Sequence, residues 1–322
     1  MKTIHAHKRP AIQNYGNFQP VQDAEALRNA MKGFGTNEDT IIRILCKRSN
    51  YQRQEIAETY KNHFGRDLIN DLKSELKSDF EDLIVALMVP KVEYDVLELH
   101  KAISGIGTNE SVLIDILCSR NNEELYKIKT IYREKYGRDL ESDIVNDTSG
   151  YFQNILVAIV QGQRADCTDE NHLQANKDAR TLYRAGEQTF GTDESAFIQI
   201  LATRSYCQLD NIFNEYKLIS NHSIEEAIEK EFSGDLKNAI LSIISVARNT
   251  PEYFATSLYN SMKGLGTKDK DLIRIIVSRS EIDLKDIALA YEKKYGTTLA
   301  NAIKGDTSGH YKNALLTILA GN

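Results

Sequence analysis

Glycines, threonines and acids recur in this chain at a spacing suited to gripping a cation. Residues 31–36 read Met-Lys-Gly-Phe-Gly-Thr, residues 103–108 Ile-Ser-Gly-Ile-Gly-Thr and residues 262–267 Met-Lys-Gly-Leu-Gly-Thr. Two glycines one residue apart open backbone conformations closed to other residues. A tight turn of that kind between two helices can aim several carbonyl oxygens at one point. At the fortieth position after the second glycine stands an acid in each case: Glu75, Asp147 and Asp306. A third-quarter copy, residues 185–192, is longer between its glycines and is followed by Glu231. A hard cation such as Ca2+ takes 6–8 oxygen ligands. Three carbonyls and one bidentate carboxylate would supply five and leave room for a ligand oxygen. One carboxylate under a divalent ion leaves net positive charge, which favours an anionic partner such as lipid phosphate.

These loops belong to a fourfold repeat. Counting from Gly35, Gly107, Gly191 and Gly266, the same columns return. They are Glu38, Glu110, Glu194 and Asp269 at +3, and Ile42, Ile114, Ile198 and Ile273 at +7. Arg48, Arg120, Arg204 and Arg279 stand at +13, and Tyr60, Tyr132, Tyr216 and Tyr291 at +25. Each unit reads as five short helices, and no segment alternates as a strand would. Asp23 reads as the N-cap of the first helix. The third helix opens on a capping box in every unit: Ser49/Gln52, Asn121/Glu124, Ser205/Gln208 and Ser280/Asp283. It closes at Gly65, Gly137, Asn221 and Gly296, which tolerate a left-handed cap. The fourth helix starts after Asp67, Asp139, Ser223 and Thr298 and runs to the +40 acid. The fold class is therefore all-α. The boundaries read as a head at 1–22, repeats at 23–90 and 91–162, a linker at 163–175, and repeats at 176–248 and 249–322. The linker is expected to separate two halves of two consecutive repeats each. In the head, Thr3 offers the only serine or threonine hydroxyl.

Composition excludes several classes. The 322 residues carry 40 basic and 46 acidic side chains, a formal charge of −6, which argues against a nucleic-acid partner. The longest apolar run, Leu83–Val89, is far shorter than a membrane span. No apolar leader opens the sequence. Cys46, Cys118, Cys167 and Cys207 read as free thiols of a reducing compartment. Cys46 and Cys118 share one repeat position on an apolar stripe, so both read as buried rather than reactive. No H-E-x-x-H, phosphate-loop or EF-hand pattern is present, and no enzyme activity is expected.

The four Gly-Thr loops, each with an acid forty residues on, resemble the annexin family. So do Thr203-Arg204-Ser205, Val277-Ser278-Arg279-Ser280 and Asp306-Thr307-Ser308-Gly309. The resemblance covers residues 20–320. It implies four five-helix repeats in a slightly curved disc, with Ca2+ as cofactor. The implied ligands are Met31, Gly33, Gly35 and Glu75; Ile103, Gly105, Gly107 and Asp147; and Met262, Gly264, Gly266 and Asp306. The third loop would use Gly186, Thr189, Gly191 and Glu231, with Phe190 dipping into the lipid interface. After Glu75 stand Leu76, Lys77 and Ser78, where the other units have glycine in the third position, so that loop is expected to be stiffer or tilted. Asp95, Glu98, Asp115, Arg120 and Arg274 match residues lining a polar central passage, while the +13 arginines read as structural ion pairs. The implied function is calcium-dependent binding to anionic, phosphatidylserine-type membranes, with self-association there. The implied location is cytoplasmic and peripheral to membranes, with export to the cell exterior left open. A helical-repeat scaffold for a protein partner is the alternative.

Overall fold

A computed structural model describes residues 8–167, 171–188, 191–264 and 266–322; Thr3, Thr189 and Phe190 lie outside them. All regular structure among the described residues is helical, in nineteen helices. The first repeat holds α1 (Pro20–Ala30), α2 (Glu38–Leu45), α3 (Asn50–Phe64), α4 (Leu68–Glu75) and α5 (Ser78–Met88). The second holds α6 (Lys91–Ile103), α7 (Glu110–Leu117), α8 (Asn122–Tyr136), α9 (Leu140–Asp147) and α10 (Gly150–Val160). The third has α11 (His172–Glu187), α12 (Glu194–Thr203), α13 (Tyr206–Ser220) and α14 (Ile224–Glu231). α15 (Gly234–Met262) breaks its helical dihedrals at Asn249 and so serves two repeats. The fourth repeat continues with α16 (Asp269–Arg279), α17 (Leu284–Tyr295), α18 (Leu299–Asp306) and α19 (Gly309–Ala320).

The repeat columns are the core. The +7 isoleucines and the +25 tyrosines are all buried. Gly65, Gly137, Asn221 and Gly296 end the third helix of their repeats in the left-handed conformation. Four details correct the sequence reading. α1 begins at Pro20, whose fixed φ suits a first helical position. Asp23 is instead drawn into a bidentate pair with Arg48, at 2.7 and 2.9 Å. Complete capping boxes on the third helix exist in the first two repeats. In the third, Gln208 turns away to bond the backbone of Asn171. In the fourth, Asp283 is taken by Arg279. The cause is local. Asp23, Asp95 and Asp178 face Arg48, Arg120 and Arg204, but Phe254 stands at the corresponding place of the last repeat. Arg279 lies 4.4 Å from that ring and finds its carboxylate elsewhere.

Two compact units result: residues up to 94 with 254–322, and residues 95–253. The first and fourth repeats thus share one unit and the second and third the other, which corrects the expected halves. Within the first unit α5 packs on α16 and α19, and α2 packs on α19. Within the second, α10 packs on α12. The apolar fifth helices join repeats, as their all-round hydrophobicity requires.

The linker is not a loose tether. Ala165 donates to Thr203 O (2.8 Å) and Arg164 to Arg204 O (2.6 Å). Cys167 and Cys207 form a disulfide, with Cα atoms 5.8 Å apart. That overturns the reading of four free thiols, and with it the argument for a reducing compartment. Cys46 and Cys118 are free and fully buried, and burial pushes both thiols up to about 12. They are packing residues.

Candidate functional site

Each Gly-Thr loop is closed by one backbone bond. Asn37 donates to Ala30 O at 2.9 Å, Asn109 to Ala102 O at 2.8 Å, and Lys268 to Ser261 O at 2.8 Å. Asp193 donates to Ala185 O at 2.9 Å across a loop longer by a single residue. Inside the first and fourth loops both glycines take positive φ, at 106° and 86° for Gly33 and Gly35 and at 111° and 83° for Gly264 and Gly266. A Cβ on any of the four would meet no neighbour within 4 Å, so the requirement is conformational rather than steric. In the second loop Gly107 alone is positive, at 81°.

The +40 acids are the last residues of α4, α9, α14 and α18, and each is brought to its loop by the adjoining threonine. Thr36 Oγ1 donates to Glu75 at 2.6 Å, and Thr108 to Asp147 at 2.8 Å. Thr267 donates to Asp306 at 2.6 Å, and Thr192 to Glu231 at 3.3 Å. Loop and acid therefore meet in all four repeats. The hydroxyl engages one carboxylate oxygen and orients the group. Met31 caps α1, Ile103 and Met262 end α6 and α15, and Gly186 sits in the last turn of α11 against Phe197 and Glu231. The called ligand Thr189 and the called anchor Phe190 fall outside the described residues.

Ser78 reaches a left-handed φ of 55°, beside 63°, 60° and 61° for Gly150, Gly234 and Gly309. The first repeat keeps the backbone of the others despite its side chain. The conformation costs about 1–2 kcal/mol for a residue with a Cβ.

Below the loops, Tyr60 and Tyr132 donate to Asp71 and Asp143, each at 2.7 Å. Arg66 and Arg138 complete these clusters. The Arg66 hydrogen bonds hold the Asp71 carboxyl below its usual range, against burial. In the third repeat Ala227 replaces that acid, and Tyr216 bonds Glu187 at the end of α11 instead. His222 Nε2 also reaches Glu187, at 2.9 Å. A bond to the Ser223 carbonyl, then Glu187, raise the imidazole above its ordinary value.

Asp95, Glu98, Asp115 and Arg120 lie in one unit and Arg274 in the other. Asp95 and Arg120 are the second repeat's buried ion pair. Glu98 holds Lys101 at 2.9 Å, Asp115 accepts from Tyr253, and Arg274 reaches Asp271 at 2.8 Å.

Two features went unread in the sequence. One is the threonine clamp, although its residue was half of the repeat signature. The other is the loop tip: Phe34 and Ile106 are wholly exposed, at 111% and 110% of reference. The apolar residue between the glycines was their signal.

Residues 22–87, 94–159, 177–243 and 253–318 match the profile of the Annexin family. The chain is 51% identical to annexin A5 of Rattus norvegicus over 313 residues, covering 97% of this chain and 98% of that protein. It is 48% identical to annexin A4 of Rattus norvegicus over 315 residues, covering 98% and 99%. Among solved structures it is similar to chicken annexin V, with a TM-score of 0.93, 48% identity and coverage of 98% and 99%. It is likewise similar to a calcium-bound annexin (Sm)1, with a TM-score of 0.86, 35% identity and coverage of 97% and 93%. Four matched repeats across nearly the whole length, and half of all residues shared with one relative, place this chain in the annexin family.

Proposed function

We propose that this chain binds anionic phospholipid surfaces, of the phosphatidylserine type, when calcium is present, as a peripheral membrane protein. Annexins as a family bind phospholipid in that manner. The observation that carries the reading is the threonine clamp, which holds a carboxylate against a carbonyl-rich loop in every repeat. The donor set is all oxygen, as a hard cation requires. The carbonyls of Met31, Gly33 and Gly35 with Glu75 would hold one ion, and those of Ile103, Gly105 and Gly107 with Asp147 a second. The third loop would use Gly186, Thr189, Gly191 and Glu231. The carbonyls of Met262, Gly264 and Gly266 with Asp306 serve the fourth. Calcium supplies the positive charge that an acidic chain lacks for lipid phosphate.

Phe34 and Ile106 stand at the tips of the same loops. An apolar side chain there gains by entering the headgroup–acyl boundary. No helix of the described residues is long and apolar enough to cross a membrane. Co-sedimentation with phosphatidylserine–phosphatidylcholine vesicles tests the reading. Pelleting in calcium and release by chelator is the expected result, and equal pelleting in both overturns it.

A further inference from the structure

The extra stretch ahead of the third repeat is a strap within the unit of residues 95–253. Asn122 Nδ2, at the start of α8, donates to Arg164 O at 2.7 Å. From there the strap reaches the corner between α12 and α13, where Ala165 bonds Thr203 O and Arg164 bonds Arg204 O. The Arg164 guanidinium also lies 4.2 Å from the centre of the Tyr206 ring, whose hydroxyl donates to Cys118 O at 2.8 Å. The Cys167–Cys207 bond fastens the strap to the first turn of α13.

Access, support and charge set this bond apart from a buried staple. Thiol–disulfide exchange needs an approach to a sulfur. Cys167 is exposed and Cys207 half-buried, whereas Cys46 and Cys118 are fully buried. α13 is anchored in the core by Leu209, Ile212, Phe213 and Tyr216, so the fold has its own support beside the bridge. The Cys207 N–H, in a first turn that offers it no intrahelical acceptor, donates to Cys167 Sγ at 3.3 Å. A donor at a helix N-terminus stabilises negative charge on a sulfur. Cys167 is therefore the better leaving group when the bond breaks, and it holds the more stabilised thiolate afterwards.

We propose that Cys167–Cys207 is a reversible redox site, with a dithiol as reductant and hydrogen peroxide as oxidant, whose state fastens or frees the strap. In reduction a thiolate of the dithiol attacks Cys207 Sγ, and the electron pair of the broken S–S bond leaves on Cys167. The second thiolate of the reagent attacks the reagent's own sulfur in the mixed disulfide. That closes a disulfide in the reagent and expels Cys207 as a thiolate, which takes a proton from solvent. Two electrons have passed to the chain. In oxidation the Cys167 thiolate attacks a peroxide oxygen, the O–O bond breaks and hydroxide leaves. The Cys207 thiol then attacks the sulfenic sulfur. An S–S bond forms, the S–O bond breaks, and the departing oxygen takes the thiol proton to leave as water.

The full chain, folded and without denaturant, is treated with dithiothreitol and then iodoacetamide, and the labelled cysteines are located by peptide mass spectrometry. Labels on Cys167 and Cys207, with none on Cys46 and Cys118, are expected. A bond that resists the dithiol until denaturant is added overturns the proposal, and so does labelling of the buried pair, which would mean that reduction unfolds the chain. Hydrogen peroxide added to the reduced chain should restore the bond, and failure to do so also overturns it. A sulfenic-acid trap, dimedone, should mark Cys167 in Cys207→Ser under peroxide and leave Cys207 in Cys167→Ser nearly unmarked. The reverse order overturns the assignment of Cys167 as the reacting thiolate. Trypsin cleavage after Arg164 reads the strap. Reduction, or Cys207→Ser, should speed it about ten-fold or more, the scale on which losing a ring closure raises local opening. Equal cleavage of the oxidised and reduced chains would show that the bond does not govern the strap.

Discussion

A threonine hydroxyl 2.6 Å from a carboxylate does two things at once. It fixes the acid's rotamer before a ligand arrives, and it leaves the carboxylate with full charge. Removing that charge should therefore cost binding without costing the fold. Asp147→Asn and Asp306→Asn are expected to raise the calcium concentration needed for vesicle binding at least several-fold, with melting in calcium-free buffer unchanged. A large drop in calcium-free melting temperature would show the acid to be structural. Ser78 makes the opposite case, a residue that the fold endures. Ser78→Gly removes a strained left-handed Cβ and should raise stability by about 1 kcal/mol, read as a shift in the urea midpoint. At this scale the meeting of each Gly-Thr loop with its acid was legible, because the threonine and the carboxylate stand 39 residues apart in every repeat. The course of the Ser78 backbone was not. Sequence shows the missing glycine but not whether the chain yields or bears the strain, which the packing of α4 and α5 decides.

Elements are fastened to one another by side chains whose partners come from far along the chain, and here sequence periodicity says least. The helices, their left-handed C-caps and their buried stripes were legible because each is written within a few residues. The diversion of Gln208 to Asn171 was not, because its partner lies 37 residues away, nor was that of Asp283 to Arg279, which follows from Phe254 standing where the other repeats have an aspartate. The same holds for Cys167 and Cys207, forty residues apart. Closing a ring of that size should contribute about 2–4 kcal/mol through the unfolded chain. Reductant, or Cys207→Ser, is expected to lower the unfolding midpoint of residues 95–253 accordingly, as followed by hydrogen exchange. The third repeat adds a pH dependence. A raised imidazole stabilises the folded state fully below about pH 6.5, and that contribution fades as pH climbs past the raised value. Melting near neutral pH should fall more steeply between pH 6 and 8 for the unaltered chain than for His222→Gln, which cannot titrate.

At the scale of the whole molecule, weak sites gain from number. Each loop offers one carboxylate, and loops that engage a single surface together multiply their effect. Pelleting should rise steeply with calcium and with the fraction of anionic lipid, and a variant lacking two acids should lose more than the sum of the single losses. The fourfold pattern was plain in the sequence, down to the +3 acids of the first turns. The grouping of repeats was not. An extra stretch before the third repeat invites a cut there, yet hydrogen bonds and a disulfide bind that stretch firmly to the corner between α12 and α13. What groups the repeats is the packing of α5 and α2 on helices more than 180 residues later in the chain, and only the folded arrangement records it.

That grouping has a consequence for how the protein is made. Residues 95–253 form a continuous stretch, so the ribosome delivers all of that unit before residues 254–322 exist. The other unit is assembled from residues on both sides of that stretch and must wait until residues 254–322 have been made. Until then α5 has α2, α3 and α4 of its own repeat against it but lacks α16 and α19. Stalled nascent chains ending near residue 290 should accordingly show a protease-resistant middle and a cleavable beginning.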